Sequence, residues 1–235
     1  MVATNPLHQH LAHLGKALAA PVRVAILEVL AQAPRSVEDL ASAVGQTVAN
    51  TSQHLRILRE ARLVEGTRAG LFVTYRLAGE QVAGCLVGLR ELGEAQIVEL
   101  RLAREAIASE SADVARIDRE TLRRRLRAGE VVLIDVRPPL EYAAAHLPGA
   151  ISVPTGDLDA FVRSIPKKLE IVAYCRGPYC MLAVEAVRAL QRRGRKARRF
   201  EDGVAEWQAA GLPLEYRSPA SSHASKRIQA GDRKR

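Results

Sequence analysis

The chain has 235 residues, more than one average domain, and 48% hydrophobic residues with only 4% aromatics, which allows two cores built from aliphatic side chains. Its net charge of +9 favours an anionic partner only weakly, because a solvated Arg-rich stretch at 192–199 contributes to the total. Three cysteines are too few for the disulfide framework of a secreted domain. Neither an apolar leader nor a membrane-length apolar run occurs, so we expect a cytoplasmic protein with no membrane partner.

The N-terminal part of the chain is predicted to alternate helices with a hairpin. Ser36 followed by Asp39 is a helix-start pattern, and Gly45 ends the short helix that they open. Helix, helix, turn, helix and hairpin is the order of a winged helix-turn-helix. The other predicted elements are a pair of helices within 9–33, a helix at 47–60, and strands at 63–65 and 72–77 around a turn at 67–70.

Apolar side chains recur at helical spacing through residues 80–108, with more apolar surface than a lone exposed helix can carry. We expect this segment, together with the N-terminal helix, to pack against a second copy of the chain. Cys85 is interpreted as a small buried apolar residue of this segment.

From residue 117 the pattern changes to α/β. Strands separated by crossovers predict a parallel sheet. The last residues, 218–235, are basic and almost without large apolar side chains, so we expect a disordered tail there. Between these limits the predicted elements are helices at 118–128 and 180–193 and strands at 131–134 and 171–174.

The stretch ANTSQHLRILREARLV at 49–64 resembles the recognition helix and following strand of the ArsR family of transcriptional regulators. Short polar side chains can reach base edges, and arginines can reach phosphates. The alternative is that these side chains merely solvate a surface helix. The resemblance implies a homodimer that reads an inverted repeat in double-stranded DNA. The candidate DNA-binding residues are Asn50, Thr51, Ser52, Gln53, His54, Arg56 and, at the wing tip, Arg68.

The metal sites of that family have no counterpart in this sequence. The Cys-x-Cys box is absent, and residues 80–105 contain no histidine. A patch of His8, His10 and His13 remains as an alternative, although such clusters usually have no ligand role. We therefore expect neither a metal nor a cofactor.

Three ordered motifs in the second half resemble the rhodanese family. They are VVLIDVR at 131–137 followed by HLPGA at 146–150, YCRGPYC at 174–180, and EDG at 201–203 followed by Trp207 and GLP at 211–213. The fold class implied by both resemblances is an α+β winged helix-turn-helix domain followed by an α/β rhodanese domain with a parallel sheet. The predicted boundaries are 1–95, a helical linker at 96–116, and 117–217.

Cys175 ends a strand and precedes a helix, so loop N–H groups and the helix end are expected to favour its thiolate. Such a sulfur can attack a small sulfane-sulfur donor and hold the transferred atom as a persulfide. Asp135 and Arg137 are expected to pin the loop, and His146 to be a fold residue. The remaining loop residues are candidates for donor binding and loop shape: Arg176, Gly177, Pro178, Tyr179 and Cys180.

Cys180 has two open interpretations. It is either a resolving thiol, which converts the Cys175 persulfide into a disulfide, or a residue at the helix start that packs inward. The leading hypothesis is a dimeric repressor whose DNA affinity responds to sulfur chemistry at Cys175. The alternatives are a sulfurtransferase that uses the winged helix as a dimeriser, and an inactive rhodanese module that binds oxyanions or arsenic.

Overall fold

The structure is a computed structural model that describes residues 4–70 and 72–216. The predicted tail at 218–235 lies outside the described residues. No described helix has the length and apolar character needed to cross a membrane.

The N-terminal domain is a three-stranded antiparallel sheet with helices packed on it, in the strand order β1-β3-β2. The predicted cap is confirmed: the Asp39 N–H donates to Ser36 Oγ at 3.1 Å, and the Asp39 carboxylate accepts the Ser36 N–H. The elements are α1 (Pro6–Leu18), α2 (Pro21–Leu30), β1 (Arg35–Ser36), α3 (Val37–Ala43), α4 (Val48–Glu60), β2 (Val64–Ala69) and β3 (Phe72–Leu77).

The wing hairpin is longer than predicted. Residues 67–69 continue β2 rather than forming the turn, because Thr67 pairs with Thr74 and Arg68 with Val73 across the hairpin. Gly70, at φ 63°, takes the left-handed conformation that the turn requires.

Two helices follow the wing and lead to the second domain. α5 (Glu80–Gln96) and α6 (Val98–Glu110) are separated by Ile97, which has extended backbone angles. Gly93 permits their close approach, because a Cβ at this position would lie 2.5 Å from Leu100 Cδ1. The helical segment predicted at 80–108 is therefore a pair of packed helices.

The C-terminal domain is a five-stranded sheet, with the order β4-β8-β7-β5-β6 and all described pairs parallel. Side chains alternate between two cores, so that Ile134 and Ala173 face one layer of helices and Leu133 and Val172 face the other. Its elements are β4 (Arg116–Ile117), α7 (Arg119–Arg127), β5 (Val131–Asp135), α8 (Pro139–Ala144), β6 (Ile151–Ser152), α9 (Leu158–Ser164), β7 (Glu170–Tyr174), α10 (Leu182–Arg192), β8 (Ala197–Phe200) and α11 (Val204–Ala209).

The two domains pack through α5 and α11. Ala83 and Val87 of α5 form a small buried cluster with Ala205 of α11. Because β5, β7 and β8 run parallel, their carboxyl ends meet at one edge of the sheet, and this edge faces the N-terminal domain.

Candidate functional site

The thiol loop comprises residues 175–180 and lies between β7 and α10. Cys175 is only 2% exposed. Gly177 has φ 133°, and a Cβ there would meet the Glu206 carboxylate at 2.9 Å. A Cβ at Gly203 would lie 2.6 Å from the Arg176 carbonyl oxygen. The loop is therefore packed tightly against the start of α11 at two glycines.

The two thiols of this loop interact. Cys175 Sγ donates to the Cys180 carbonyl at 3.3 Å. A hydrogen bond from the Cys175 thiol, reinforced by the amides of Arg176 and Leu182, lowers the pKa of Cys180 to about 6. The same interaction between the thiols, together with burial, raises the pKa of Cys175 well above its ordinary value. The expected contribution of backbone amides at Cys175 is present, from Gly177 and Ala183, but burial and the contact with Cys180 outweigh it, so Cys180 is the more acidic thiol of the pair.

Arg199 lies beneath the thiol loop and is 1% exposed. Its Nη2 donates to the carbonyls of Pro178 at 2.9 Å and Cys180 at 3.3 Å. The stretch 192–199 was expected to be solvated, but Arg195 and Arg199 are both buried. Arg195 donates to three carbonyls near residue 165. Alternation along β8, which places every second side chain inside, is the signal that could have identified Arg199.

Arg176 connects the thiol loop to the N-terminal domain through Glu141. Its Nε and Nη2 donate to the two Glu141 oxygens at 2.9 and 2.8 Å. Arg35 of β1 donates to the same carboxylate at 3.2 Å. Glu141 was not predicted as a site residue, because its partners are distant in sequence. One buried carboxylate therefore joins the thiol loop to the winged-helix sheet.

Tyr179 forms a second connection. Its hydroxyl donates to Glu94 of α5 at 2.6 Å, and its ring lies 5.6 Å from the guanidinium carbon of Arg90 and 6.0 Å from that of Arg104. Arg90 also donates to Glu206 at 2.6 Å. Tyr179 of the thiol loop is thus held by side chains of α5 and α6, the helices that follow the wing.

Asp135 and Arg137 form a buried ion pair at the ends of the strands. Arg137 donates to both Asp135 oxygens and to Gln32, which follows the end of α2, at 3.1 Å. Burial beside Asp135 raises the pKa of Tyr174, whose hydroxyl donates to Asp135 at 2.6 Å. His146 is buried, and its Nδ1 lies 2.8 Å from the Tyr142 carbonyl oxygen. The hydrogen bonds described for the side chains of Asp135, Arg137 and His146 are with one another, with Gln32, with Tyr174 and with the carbonyls of Tyr142 and Ala145, so a role in pinning the thiol loop remains a prediction.

A cavity of about 840 Å³ lies between the domains, beside the thiol loop. Helices α2 and α5 supply its apolar wall, and Arg35, Arg90 and Arg176 are among its polar groups. Of the two loop thiols, Cys180 lines this cavity. In the part of the chain that the structure describes, no three His, Cys, Asp or Glu residues are grouped to hold a metal ion.

The candidate DNA-binding residues are distributed over different faces of α4. Ser52, Gln53 and Arg56 are exposed, and Arg68 is exposed on the wing with its Nε donating to the Gly70 carbonyl. Asn50 donates to Gln46 at 2.6 Å, and His54 is half-buried.

Thr51 is the exception among these residues. It is 0% exposed, and its hydroxyl donates to the Thr47 carbonyl at 2.9 Å. The prediction that Thr51 contacts DNA is wrong, because the side chain faces the same interior as Leu55 and Leu58.

A row of apolar side chains on α1, α5 and α6 is exposed, and we call this surface the apolar face. Cys85 lies on the exposed side of α5 with Leu89 and Leu92, one helical turn apart. The interpretation of Cys85 as buried is wrong for the single chain. The apolar face includes Leu7, Leu11, Leu14, Leu89, Leu92, Ile97, Val98 and Leu102.

Comparisons with known proteins match both halves. The family model of bacterial regulatory proteins of the arsR family matches residues 20–66, and that of the rhodanese-like domain matches residues 118–210. The HTH-type transcriptional regulator Rv0324 of Mycobacterium tuberculosis is 40% identical over 213 residues, covering 91% of this chain and 93% of the relative. A sulfurtransferase of Allochromatium vinosum is 33% identical over 102 residues, covering 43% of this chain and 94% of the relative.

Among solved structures, the homodimeric winged helix-turn-helix DNA-binding domain Mb0332 of Mycobacterium bovis is similar to the N-terminal part. Its sequence is 35% identical, the TM-score is 0.37, and the match covers 41% of this chain and 94% of that one.

The fold and the matches define a DNA-binding regulator of the winged helix-turn-helix class with a rhodanese domain attached. The chain belongs to the ArsR-type HTH transcriptional regulators, in the group that carries a C-terminal rhodanese-like domain.

Proposed function

We propose that this regulator is a dimeric repressor whose affinity for its operator responds to sulfur transferred to the Cys175–Cys180 pair. The observation that carries the proposal is that the thiol loop contacts the DNA-binding domain through Tyr179–Glu94 and Arg176–Glu141–Arg35. A covalent change in the loop would therefore alter contacts made by α5 and β1.

We also propose residues 1–95 as the DNA-binding and dimerisation unit, 96–116 as its linker and 117–217 as the rhodanese unit.

The sulfur chemistry follows from two neighbouring thiols. The Cys180 thiolate accepts the proton of the Cys175 thiol, and the Cys175 sulfur attacks the outer sulfur of a sulfane donor, whose remainder leaves with the electron pair of the broken bond. The persulfide is held on Cys175 beneath the loop amides, and Cys180 gives its proton to solvent. The Cys180 thiolate then attacks the inner sulfur of this persulfide. The products are a Cys175–Cys180 disulfide and hydrosulfide, so the outer sulfur leaves with the electron pair of the broken bond.

The experiment measures operator binding of reduced protein before and after treatment with inorganic polysulfide. We expect the treated wild type to bind about 5–150-fold more weakly, the range of ordinary allosteric coupling. Cys175→Ser should lose this response, and Cys85→Ser is the matched control that retains it.

Mass spectrometry should find the disulfide in the wild type and persistent extra sulfur on Cys175 in Cys180→Ser. A Cys175→Ser variant that still responds would contradict the proposal.

A second candidate function is catalysis of sulfur transfer. The similarity of residues in the second half to a sulfurtransferase favours it, whereas the burial of Cys175 and the packing of its loop against the other domain oppose rapid turnover. Steady production of thiocyanate from thiosulfate and cyanide, at a rate independent of operator DNA, would support the enzyme.

A further inference from the structure

Arg199 is a buried cation beneath the thiol loop, and none of the steps at the two thiols requires it. We propose that its guanidinium holds the Cys175 persulfide in the anionic form, which makes Arg199 a positioning residue for the sulfurated site. This inference rests on the proposed sulfur response and names the group that sets the charge of its intermediate.

The guanidinium of Arg199 is only partly satisfied. Its Nη2 donates to the carbonyls of Pro178 and Cys180. Its Nε and Nη1 are buried and have no hydrogen-bond partner in the described part of the chain. Buried charged groups are normally paired, because an unpaired charge in the interior is costly. A polar group that stays unsatisfied in the interior is therefore a candidate for a functional role.

The carboxylate next to Arg199 is shared with two other arginines. Glu201 lies 3.9 Å from Arg199 Nη1, but 3.1 Å from Arg104 and 3.3 Å from Arg116. The side chains of Arg104 and Arg116 are partly exposed, whereas that of Arg199 is buried. One carboxylate thus faces three guanidinium groups, and the most buried of the three has the longest contact with it.

The charge of Arg199 acts close to Cys175. Arg199 Nη2 and Cys175 Sγ both lie 3.3 Å from the Cys180 carbonyl oxygen, so the guanidinium and the sulfur are at most two hydrogen-bond lengths apart. Burial lowers the pKa of Arg199, and a negative charge on Cys175, followed by that of Glu201, opposes this change. In the reduced protein, the contact with Cys180 and burial disfavour that negative charge by raising the pKa of the Cys175 thiol.

The other charged groups beside the thiol loop have partners of their own. Arg176 also contributes to the lowered pKa of Cys180. Cys180 competes with the reacting sulfur for positive charge, and it is therefore replaced in the test. The paired groups are Arg176 with Glu141, Arg90 with Glu206 and Arg137 with Asp135.

Sulfur transfer creates the negative charge that suits Arg199. A persulfide is a stronger acid than the thiol from which it forms, so its outer sulfur releases a proton to solvent and becomes an anion. This anion is one S–S bond away from Cys175 Sγ, and its attraction to the guanidinium is strong because the site is buried. The anion must regain a proton before Cys180 displaces it as hydrosulfide. Arg199 therefore prolongs the sulfurated state.

The test uses the full chain with Cys175 as its single cysteine, made by Cys85→Ser with Cys180→Ser and treated with inorganic polysulfide. The ultraviolet absorbance of the persulfide anion, followed against pH, gives the acid dissociation constant of the persulfide. Arg199→Gln should lower this constant by about tenfold or more, because a nearby opposite charge favours the ionised form to that extent. Arg199→Lys, which keeps the charge, should restore most of it.

Arg195→Gln is the matched control. It removes another buried arginine, whose hydrogen bonds go to carbonyls at 162–166 and not to the thiol loop. The dissociation constant of the persulfide should stay within about twofold of the single-cysteine chain, since the charge removed is not the one beside the sulfur.

A second variant keeps the test decisive if Arg199→Gln does not fold. Glu201→Gln removes the shared carboxylate and should raise the dissociation constant of the persulfide, the opposite direction. An unchanged constant in Arg199→Gln or Glu201→Gln, or equal constants in Arg199→Gln and Arg199→Lys, would overturn the role of Arg199 while the sulfur response stands. If the single-cysteine chain takes up no sulfur, the sulfur-responsive function fails, and this inference fails with it.

Discussion

At the scale of single residues, ionisation of the thiol pair follows from its hydrogen bonds. Cys180 has a pKa of about 6 because the Cys175 thiol donates to it and two amides point at it. Burial and the contact with Cys180 raise the pKa of Cys175. This difference in pKa predicts which thiol is alkylated faster by a small reagent, since the thiolate is the reactive form.

Alkylation by iodoacetamide tests this order. We expect Cys180 to react faster than Cys175 and Cys85 at neutral pH, with a rate that rises as pH increases through about 6. Cys175→Ala removes the donor thiol, so the midpoint should move towards the ordinary thiol value of about 8.5. Peptide mapping at several pH values measures each site. Faster labelling of Cys175 in the wild type would contradict the assignment.

The recognition helix provides a second prediction for single residues. Ser52 and Gln53 are exposed on α4, so Ser52→Ala with Gln53→Ala should remove base discrimination, at about 1–3 kcal/mol for each lost contact. Thr51→Val is the matched control on the buried side of the helix. It should keep discrimination and lower the free energy of unfolding by about 1 kcal/mol through the lost hydrogen bond to Thr47. Footprinting and denaturant titration measure the two effects, and an unchanged footprint of the double variant would disprove the assignment.

At the scale of elements, the apolar face on α1, α5 and α6 predicts the oligomeric state. Exposed leucines concentrated on helices beside a DNA-binding domain are typical of an interface. Leu89→Glu with Leu92→Glu should give a monomer that binds operator poorly. Ile151→Glu, at an exposed apolar position of β6 in the other domain, is the control and should remain dimeric. Sedimentation at micromolar concentration distinguishes the two, and a monomeric wild type would rule out the interface.

The contact between the thiol loop and α5 is a further prediction at this scale. Glu94→Ala removes the acceptor of the Tyr179 hydroxyl, so the change in operator affinity on sulfur treatment should shrink by about fivefold or more. Glu91→Ala, an exposed glutamate of the same helix, is the matched control. Operator titrations with and without polysulfide measure the response, and an undiminished response in Glu94→Ala would exclude this route of coupling.

At the scale of the whole molecule, the two domains meet through polar contacts around a cavity. The interface contains the ion pairs Arg90–Glu206 and Arg35–Glu141 and the small apolar cluster of α5 and α11. Interfaces of this polar kind permit two arrangements of the domains at modest cost in free energy. The proposed function requires such a second arrangement, in which a signal at the thiols changes the presentation of α4 without unfolding either domain.

Local spacing predicts a winged helix-turn-helix and a parallel α/β domain, and the resemblance of three motifs to the rhodanese family identifies the second fold. The Ser36 cap, the polar face of 47–60 and the strands before Asp135 and Cys175 depend on neighbours within one or two turns, so they are readable along the sequence. The short strands β4, β6 and β8 are not predicted, because they are held by pairing with neighbouring strands rather than by their own composition: β6 pairs with β5, β8 with β7 and β4 with β8.

The properties of the site depend on residues far apart in the chain. Arg35, Glu141 and Arg176 meet only in the folded protein, as do Glu94 and Tyr179. The buried position of Thr51 likewise follows from packing around it, whereas the lowered pKa of Cys180 comes from Cys175, Arg176 and Leu182, which are close to it in the chain. Sequence patterns identify the thiol loop and the candidate recognition helix, whereas burial and long-range hydrogen bonds decide which residues of that helix are exposed and how the two domains contact each other.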